Sequence, residues 1–381
     1  MKTNARSQHV VAIDLVRFLA AGLVLLSHLA FSIGDRPDSR AYALSDGTMP
    51  HALWPALSFY GWIGVQIFFV ISGIVITYSA HAASPYVFFR SRVLRLVPAA
   101  WLCATLTAAV LVWHHGAVTT ELLRGWRHSM LFMPWDPWID NAYWTLGVEI
   151  SFYVAVGVLI YRQRAESIGK LAAVLTWGCL GYWLLYSLAQ SGLVPRLGAM
   201  QLPYLAERLL ELLLVKHGAF FAAGVYICSV FIERRPRPAL MHLLAMLVAC
   251  VLQIHWYNHY ANGPRDNPLW PALALWGGSV AVIVLGIRYN TVLRSNPALV
   301  RLLRLLGLMT YPLYLLHQNI GAVVIGRLRL WGVEPVAALC LSTLLVLVLC
   351  WAVVTYAEPL LKRWMGAVLD FGRERLQRSA A

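Results

Sequence analysis

The sequence predicts an all-α membrane protein, a polytopic helix bundle of about ten transmembrane helices with both termini cytoplasmic. Three observations predict it. Of 381 residues, 60% are hydrophobic and only 13% charged, against roughly 45–50% and about 25% in a soluble domain. Apolar runs of about the ~20 residues that carry a helix across ~30 Å of hydrocarbon recur along the whole chain. Basic residues cluster between these runs, dense in alternate segments and sparse in the others, which orients the spans by the positive-inside rule. The same clustering assigns the net charge of +14 to membrane-flanking loops, so no nucleic-acid partner is expected. Disorder, fibrous repeats and an ordinary soluble enzyme are excluded.

The first run, near 10–33, carries Asp14 and Arg17 in its first half and no small-residue cleavage site follows it, so it reads as a retained helix and not a signal peptide. The second, 59–80, contains Gly61, Gly64 and Gly73, which permit close helix packing. The third, 97–114, follows an inner loop closed by Arg90, Arg92 and Arg95. The fourth, 143–161, carries Glu149, and the fifth, 171–190, follows Arg162, Arg164 and Lys170. The sixth, 205–232, holds Glu207, Glu211, Lys216 and His217, which read as structural pairs. The seventh, 239–257, follows Arg234, Arg235 and Arg237 and ends beside His255 and His259, whose i, i+4 spacing at an aromatic interface is too weak to predict a metal site. The eighth, 269–287, and ninth, 305–326, flank Arg288, Arg294, Arg301 and Arg304; the ninth places His317 near mid-membrane. The tenth, 335–357, leads into a cytoplasmic tail, 361–381, too short for an appended soluble domain. A single membrane domain with its core at about 10–360 is expected. The six cysteines fall inside apolar runs and form no CxxC pair, so neither disulfides nor structural zinc are expected.

Ionisable residues at the bilayer centre cost at least ~2.5–3.5 kcal/mol each on insertion scales and need a partner or a role. At ~100° per residue, Arg17 and His28 differ by about 20° around the first helix and Asp14 and His28 by about 40°, so all three share a face. A structural Asp14–Arg17 pair with a packing histidine explains that face as well as a reactive site does. Glu149 lies ~9 Å below the outer end of the fourth span, close to the depth of His28. A neutral histidine beside a buried carboxylate is a general-base arrangement. Arginine forks suit phosphate groups, so Arg90, Arg92 and Arg95 fit a phosphorylated cosubstrate; the same cluster fits a headgroup anchor. Intramembrane charges also leave a secondary transporter open. In the outer loop 115–142, Trp126, Trp135 and Trp138, with Tyr143 at its end, are suited either to stacking on a sugar or to anchoring at the interface.

These motifs together resemble the acyltransferase 3 family. Ile13-Asp14-Leu15-Val16-Arg17 followed by His28 is similar to the family's Arg–His element. Gly64-Val65 through Phe68-Phe69-Val70-Ile71-Ser72-Gly73 matches its second-helix signature, and Arg90-Ser91-Arg92, with Arg95 and Pro98, its Arg-x-Arg motif. Trp144-Thr145-Leu146-Gly147-Val148-Glu149 with Phe152 and Tyr153 resembles its Trp-Ser-Leu…Glu…Phe-Tyr element, and His317 and Glu358-Pro359 also match. Gln66 stands where an acidic residue is frequent, and Thr145 replaces the usual serine. The resemblance implies a multi-pass enzyme of the bacterial inner membrane with no bound cofactor. Such an enzyme moves an acyl group, usually acetyl, from cytoplasmic acyl-CoA as cosubstrate to a hydroxyl of an extracytoplasmic saccharide. On that reading His28 and Glu149 are catalytic and Arg90, Arg92 and Arg95 bind the donor. Asp14, Arg17, Ser72, Trp144 and His317 support the site.

Overall fold

The computed structural model describes residues 10–80, 83–192, 203–261 and 267–379. Among the described residues there is no strand, and nine helices are long and apolar enough to cross a membrane. In chain order the principal helices are α1 (Val11–Asp35), α2 (Pro55–Ala80), α3 (Pro85–His115), α4 (Thr120–Met130), α5 (Asn141–Tyr161), α6 (Ala165–Gln190), α7 (Tyr204–Leu212), α8 (Gly218–Ile232), α9 (Leu240–His259), α10 (Trp270–Arg288), α11 (Pro297–Leu330) and α12 (Pro335–Arg375).

The expected sixth span is broken. α7 stops at Leu212, Leu214 takes a left-handed conformation at φ 62°, and the apolar part resumes as α8. Charge explains the break: Glu207, Arg208, Glu211 and Lys216 sit on one side of it, and α8 is apolar and fully buried through Ile227. Arg208, only 3% exposed, braces the break; it donates to the carbonyls of Pro134 and Trp144 and pairs with Glu211 at 2.7 Å.

α3 begins twelve residues before the expected third span. The Ser84 hydroxyl accepts from the Val87 N–H, and Pro85 occupies the first turn, where its missing N–H costs nothing. Arg90, Arg92 and Arg95 therefore project from a helix and not from a loop. At the other extreme, α12 continues through a π turn at Val353–Ala357, and a helix at Glu358–Ser379 covers most of the expected tail.

α2 is the centre of the bundle, with 89% of its apolar window buried, against 22% for the peripheral α10. Its glycines make this possible. A Cβ on Gly61 would strike the Leu23 carbonyl, one on Gly64 the Ala20 carbonyl, and one on Gly73 the Phe221 carbonyl. α1 and α8 thus lie backbone to backbone against α2.

The long loops gather at one end of the bundle. Arg40 donates to the Trp138 carbonyl at 3.1 Å, Arg329 to the Thr48 carbonyl at 3.3 Å, and the Tyr60 hydroxyl to the Pro268 carbonyl at 2.8 Å. At the opposite, arginine-rich end, Arg90 of α3 meets Asp370 of the C-terminal helix.

Candidate active site

α1 opens into a π turn at Ser27–Ser32, and His28 lies in it. Such widened turns are frequent at functional sites. His28 Nδ1 is 2.7 Å from Nε2 of His317, with the rings stacked at 22°. His317 is fully buried, and its Nδ1 lies 2.9 Å from the Tyr314 carbonyl and 3.1 Å from that of Leu313. Carbonyls only accept, so His317 carries its proton on Nδ1 and accepts on Nε2. His28 then donates from Nδ1 and keeps its lone pair on Nε2. A proton taken up by His28 is stabilised along this chain, through His317, onto two carbonyl dipoles. The hydrogen bond on His28 thus goes to His317, and the pairing of His28 with Glu149 inferred from matching depth is not formed. Depth along a helix fixes height but not azimuth, and α5 turns Glu149 toward α2.

Glu149 Oε1 accepts from Ser72 Oγ at 2.6 Å and from the Tyr153 hydroxyl. It lines a small cavity of about 60 Å³ with Arg17, Arg95, Ser72, Thr145 and Tyr314. Arg17 and Arg95 bring two guanidinium groups to this cavity; they repel each other, while the carboxylates of Asp14 and Glu149 partly offset the repulsion. Asp14, 9% exposed, packs against Gly307 of α11, where a side chain would collide with its carboxyl. The Thr145 hydroxyl donates to the Tyr314 hydroxyl at 3.1 Å. The other two arginines lie elsewhere. Arg92 sits over the rings of Phe88 and Tyr153, at 5.4 and 5.6 Å. Arg90 is held bidentately by Asp370, at 2.8 and 2.7 Å, and the Tyr86 hydroxyl bonds the same carboxylate.

His28 itself lines a cavity of about 100 Å³ that shares Val65 and Tyr314 with the arginine cavity. Across Trp144 and Tyr257 it adjoins a third cavity, of about 530 Å³, at the loop end. Of the loop aromatics, only Trp138 reaches that third cavity. Trp126 bonds Thr105, Trp135 is 47% exposed, and the buried Tyr143 donates to the Ala100 carbonyl. The expected Lys216 pairs are present, at 3.6 Å to Glu207 and 3.8 Å to Glu211. His255 and His259 stack edge to face at 4.7 Å between ring centres.

Asp140, just ahead of α5, ties this loop to the helix that carries His317. Its oxygens accept from the backbone N–H groups of Ala142 at 2.8 Å and Asn319 at 3.1 Å, and the Asn319 side chain donates to the Ile139 carbonyl at 2.7 Å. Burial pushes the Asp140 carboxyl up from 3.8 to about 6, opposed by those two N–H groups and by Arg40. A carboxyl raised in this way binds its proton more tightly in the folded protein. Its contribution to stability is present in full below about pH 4 and is lost as the pH rises through 6. Asp140→Asn is therefore expected to show a smaller fall in Tm between pH 4 and 6.5 than the parent protein in detergent, whatever its absolute stability. Parallel slopes would contradict this.

Tyr153 entered the sequence reading only as part of the Phe-Tyr element, although its i+4 spacing from Glu149 matches the contact it makes. The third cavity was not legible in the sequence, because its lining comes from distant segments. The family model described as an acyltransferase domain, acyltransferase 3, matches residues 10–355, nearly the whole chain. No curated protein and no solved structure matches the chain.

Proposed function

The chain belongs to the acyltransferase 3 family and is an acyltransferase, and from that premise we propose that it moves an acyl group, acetyl in the first instance, from cytoplasmic acyl-CoA to a hydroxyl of an extracytoplasmic saccharide. Exopolysaccharide and lipopolysaccharide are the model acceptors, and the bacterial inner membrane is the proposed location. One observation carries the reading: three adjoining cavities run from an arginine pair at the centre of the bundle, past His28, to an aromatic chamber at the loop end. Membership in an enzyme family sets aside the secondary transporter that the sequence alone left open.

In this mechanism His28 Nε2 accepts the proton of the acceptor hydroxyl as its oxygen attacks the thioester carbonyl. The tetrahedral intermediate collapses with cleavage of the C–S bond, and the departing thiolate recovers the proton from the His28 imidazolium, giving an ester and free CoA. His317 orients His28 and shares the transient charge. Arg17 and Arg95 draw donor anionic groups toward the centre of the bundle, while Glu149, held by Ser72 and Tyr153, offsets the repulsion between the two arginines. Arg92 and Arg90 lie toward the arginine-rich end; a donor phosphate that takes the Nε–Nη2 edge of Arg90 must displace Asp370. Trp144 stands between the histidine cavity and the aromatic chamber.

The test is transfer of labelled acetyl from acetyl-CoA by the purified protein to envelope glycan, with mass spectrometry of the product. Label on glycan hydroxyls is expected. Purified, folded protein that neither transfers nor hydrolyses acetyl-CoA would overturn the proposal.

A further inference from the structure

The cavity at the loop end is the largest of the three, about 530 Å³, and the proposed chemistry uses none of its polar groups. We infer that it is a seat for an uncharged, polyhydroxylated sugar ring, the acceptor of the transfer proposed above, on which reading this inference rests.

Its charges cancel. Glu207 and Glu211 face Arg208 and Lys216, and the four are paired with one another: Arg208 to Glu211 at 2.7 Å, Lys216 to Glu207 at 3.6 Å and to Glu211 at 3.8 Å. A ligand bearing a net charge gains no uncompensated partner there.

The polar groups without partners are neutral. Gln253 is 1% exposed, and neither its Oε1 nor its Nε2 has a hydrogen-bond partner among the described residues. Rotating the amide by 180° exchanges the two atoms and leaves both unpartnered. His217, 3% exposed, has no partner on Nδ1. Both line the cavity. Buried polar atoms are paired in nearly all proteins, and each exception calls for an explanation. An amide that must donate and accept side by side is satisfied by two neighbouring hydroxyls, each of which does both.

The walls are aromatic and fixed. Trp183 Nε1 donates to the Lys216 carbonyl at 3.0 Å, Trp256 Nε1 to Ser187 Oγ at 2.6 Å, and Tyr186 meets Trp256 edge to face at 5.1 Å. Rings pinned in this way offer apolar faces to the C–H side of a pyranose while the amide meets its hydroxyls. An aromatic box also suits a quaternary ammonium group, but such a ligand cannot hydrogen-bond Gln253 or His217, and the carboxylates it would seek are already paired. A sugar seated here lies next to the histidine cavity, which shares Trp144 and Tyr257 with it.

The experiment is a titration of tryptophan fluorescence of the full-length purified protein without acyl-CoA. The probes are the methyl glycosides of glucose, galactose and mannose, together with glucuronate and choline. At least one neutral glycoside should saturate, with glucuronate and choline weaker by tenfold or more. Gln253→Met, which keeps the side-chain volume, should weaken that glycoside at least tenfold and raise the acceptor KM more than it lowers kcat. Tighter binding of choline or glucuronate, no saturation by any glycoside, or an unchanged titration in a folded Gln253→Met protein would each overturn the inference. Transfer of labelled acetyl from acetyl-CoA to envelope glycan by the parent protein is measured alongside. Its absence would count against the transferase reading, whereas a failed titration with transfer intact would count against the seat alone.

Discussion

Replacing His28 by alanine is expected to reduce acyl transfer by about 10²–10⁴-fold, the usual worth of a general base, while the protein inserts, purifies and unfolds as before. The loss should appear in kcat, because the π turn places His28 at the cavity and makes it the base of the proposed chain rather than a binding group. His317 offers a sharper discrimination. If the chain of hydrogen bonds from His28 through His317 to the Leu313 and Tyr314 carbonyls sets the tautomer, His317→Ala leaves His28 present but unoriented. Removing the orienting member of a catalytic pair has cost about 10⁴-fold elsewhere, so a loss approaching that of His28→Ala is expected. The double variant should be little worse than either single one, since residues acting as a unit are not additive. Near-parent activity in purified, folded His28→Ala would rule out the mechanism.

The second large effect concerns the donor. Arg95→Ala removes one of the two guanidinium groups that line the small cavity, and a hydrogen bond to a charged group contributes about 1.5–3 kcal/mol. The KM for acyl-CoA is therefore expected to rise about ten- to a hundredfold, with a smaller change in acceptor KM. Arg95→Lys should restore part of this, because lysine keeps the charge and loses the fork. Arg90→Ala should have a weaker effect, because its fork is already engaged by Asp370. Asp370→Ala frees that fork and should lower the donor KM if phosphate and carboxylate compete for it. A donor KM unchanged in Arg95→Ala and raised only in Arg90→Ala would relocate the donor site to the arginine-rich rim.

The parts of the molecule legible in the sequence are those set by local physics. Apolar run lengths located nine spans, and Gly61, Gly64 and Gly73 marked α2 as the close-packed helix that it is. The Ser84-Pro85 start of α3 was also there to be read, as a hydroxyl cap followed by a first-turn proline, and it moves the arginines from loop to helix. Other features depend on partners far along the chain. His28 and His317 are 289 residues apart, and no periodicity connects them. Matching depths made Glu149 the natural partner for His28, but which way each helix is turned follows from packing, and packing delivers Glu149 to Ser72 and Tyr153. The break at Leu214 needs a leucine in a left-handed conformation, which composition does not foretell, and it is held by Arg208 through the carbonyls of Pro134 and Trp144, which lie far along the chain. The aromatic chamber draws on Trp138 of the outer loop, Trp183 of α6 and both Gln253 and Trp256 of α9, three segments far apart in the chain.

In the proposed reaction, donor and acceptor reach the histidine pair from opposite ends of one bundle. Sealed vesicles holding the protein in a single, protease-mapped orientation test it most directly, with labelled acetyl-CoA supplied to one side and glycan acceptor to the other. Transfer is predicted when acetyl-CoA is on the side of the arginine-rich end and glycan on the side of the loop end. Equal transfer with the two substrates exchanged, or transfer only when both are on the same side, would contradict it.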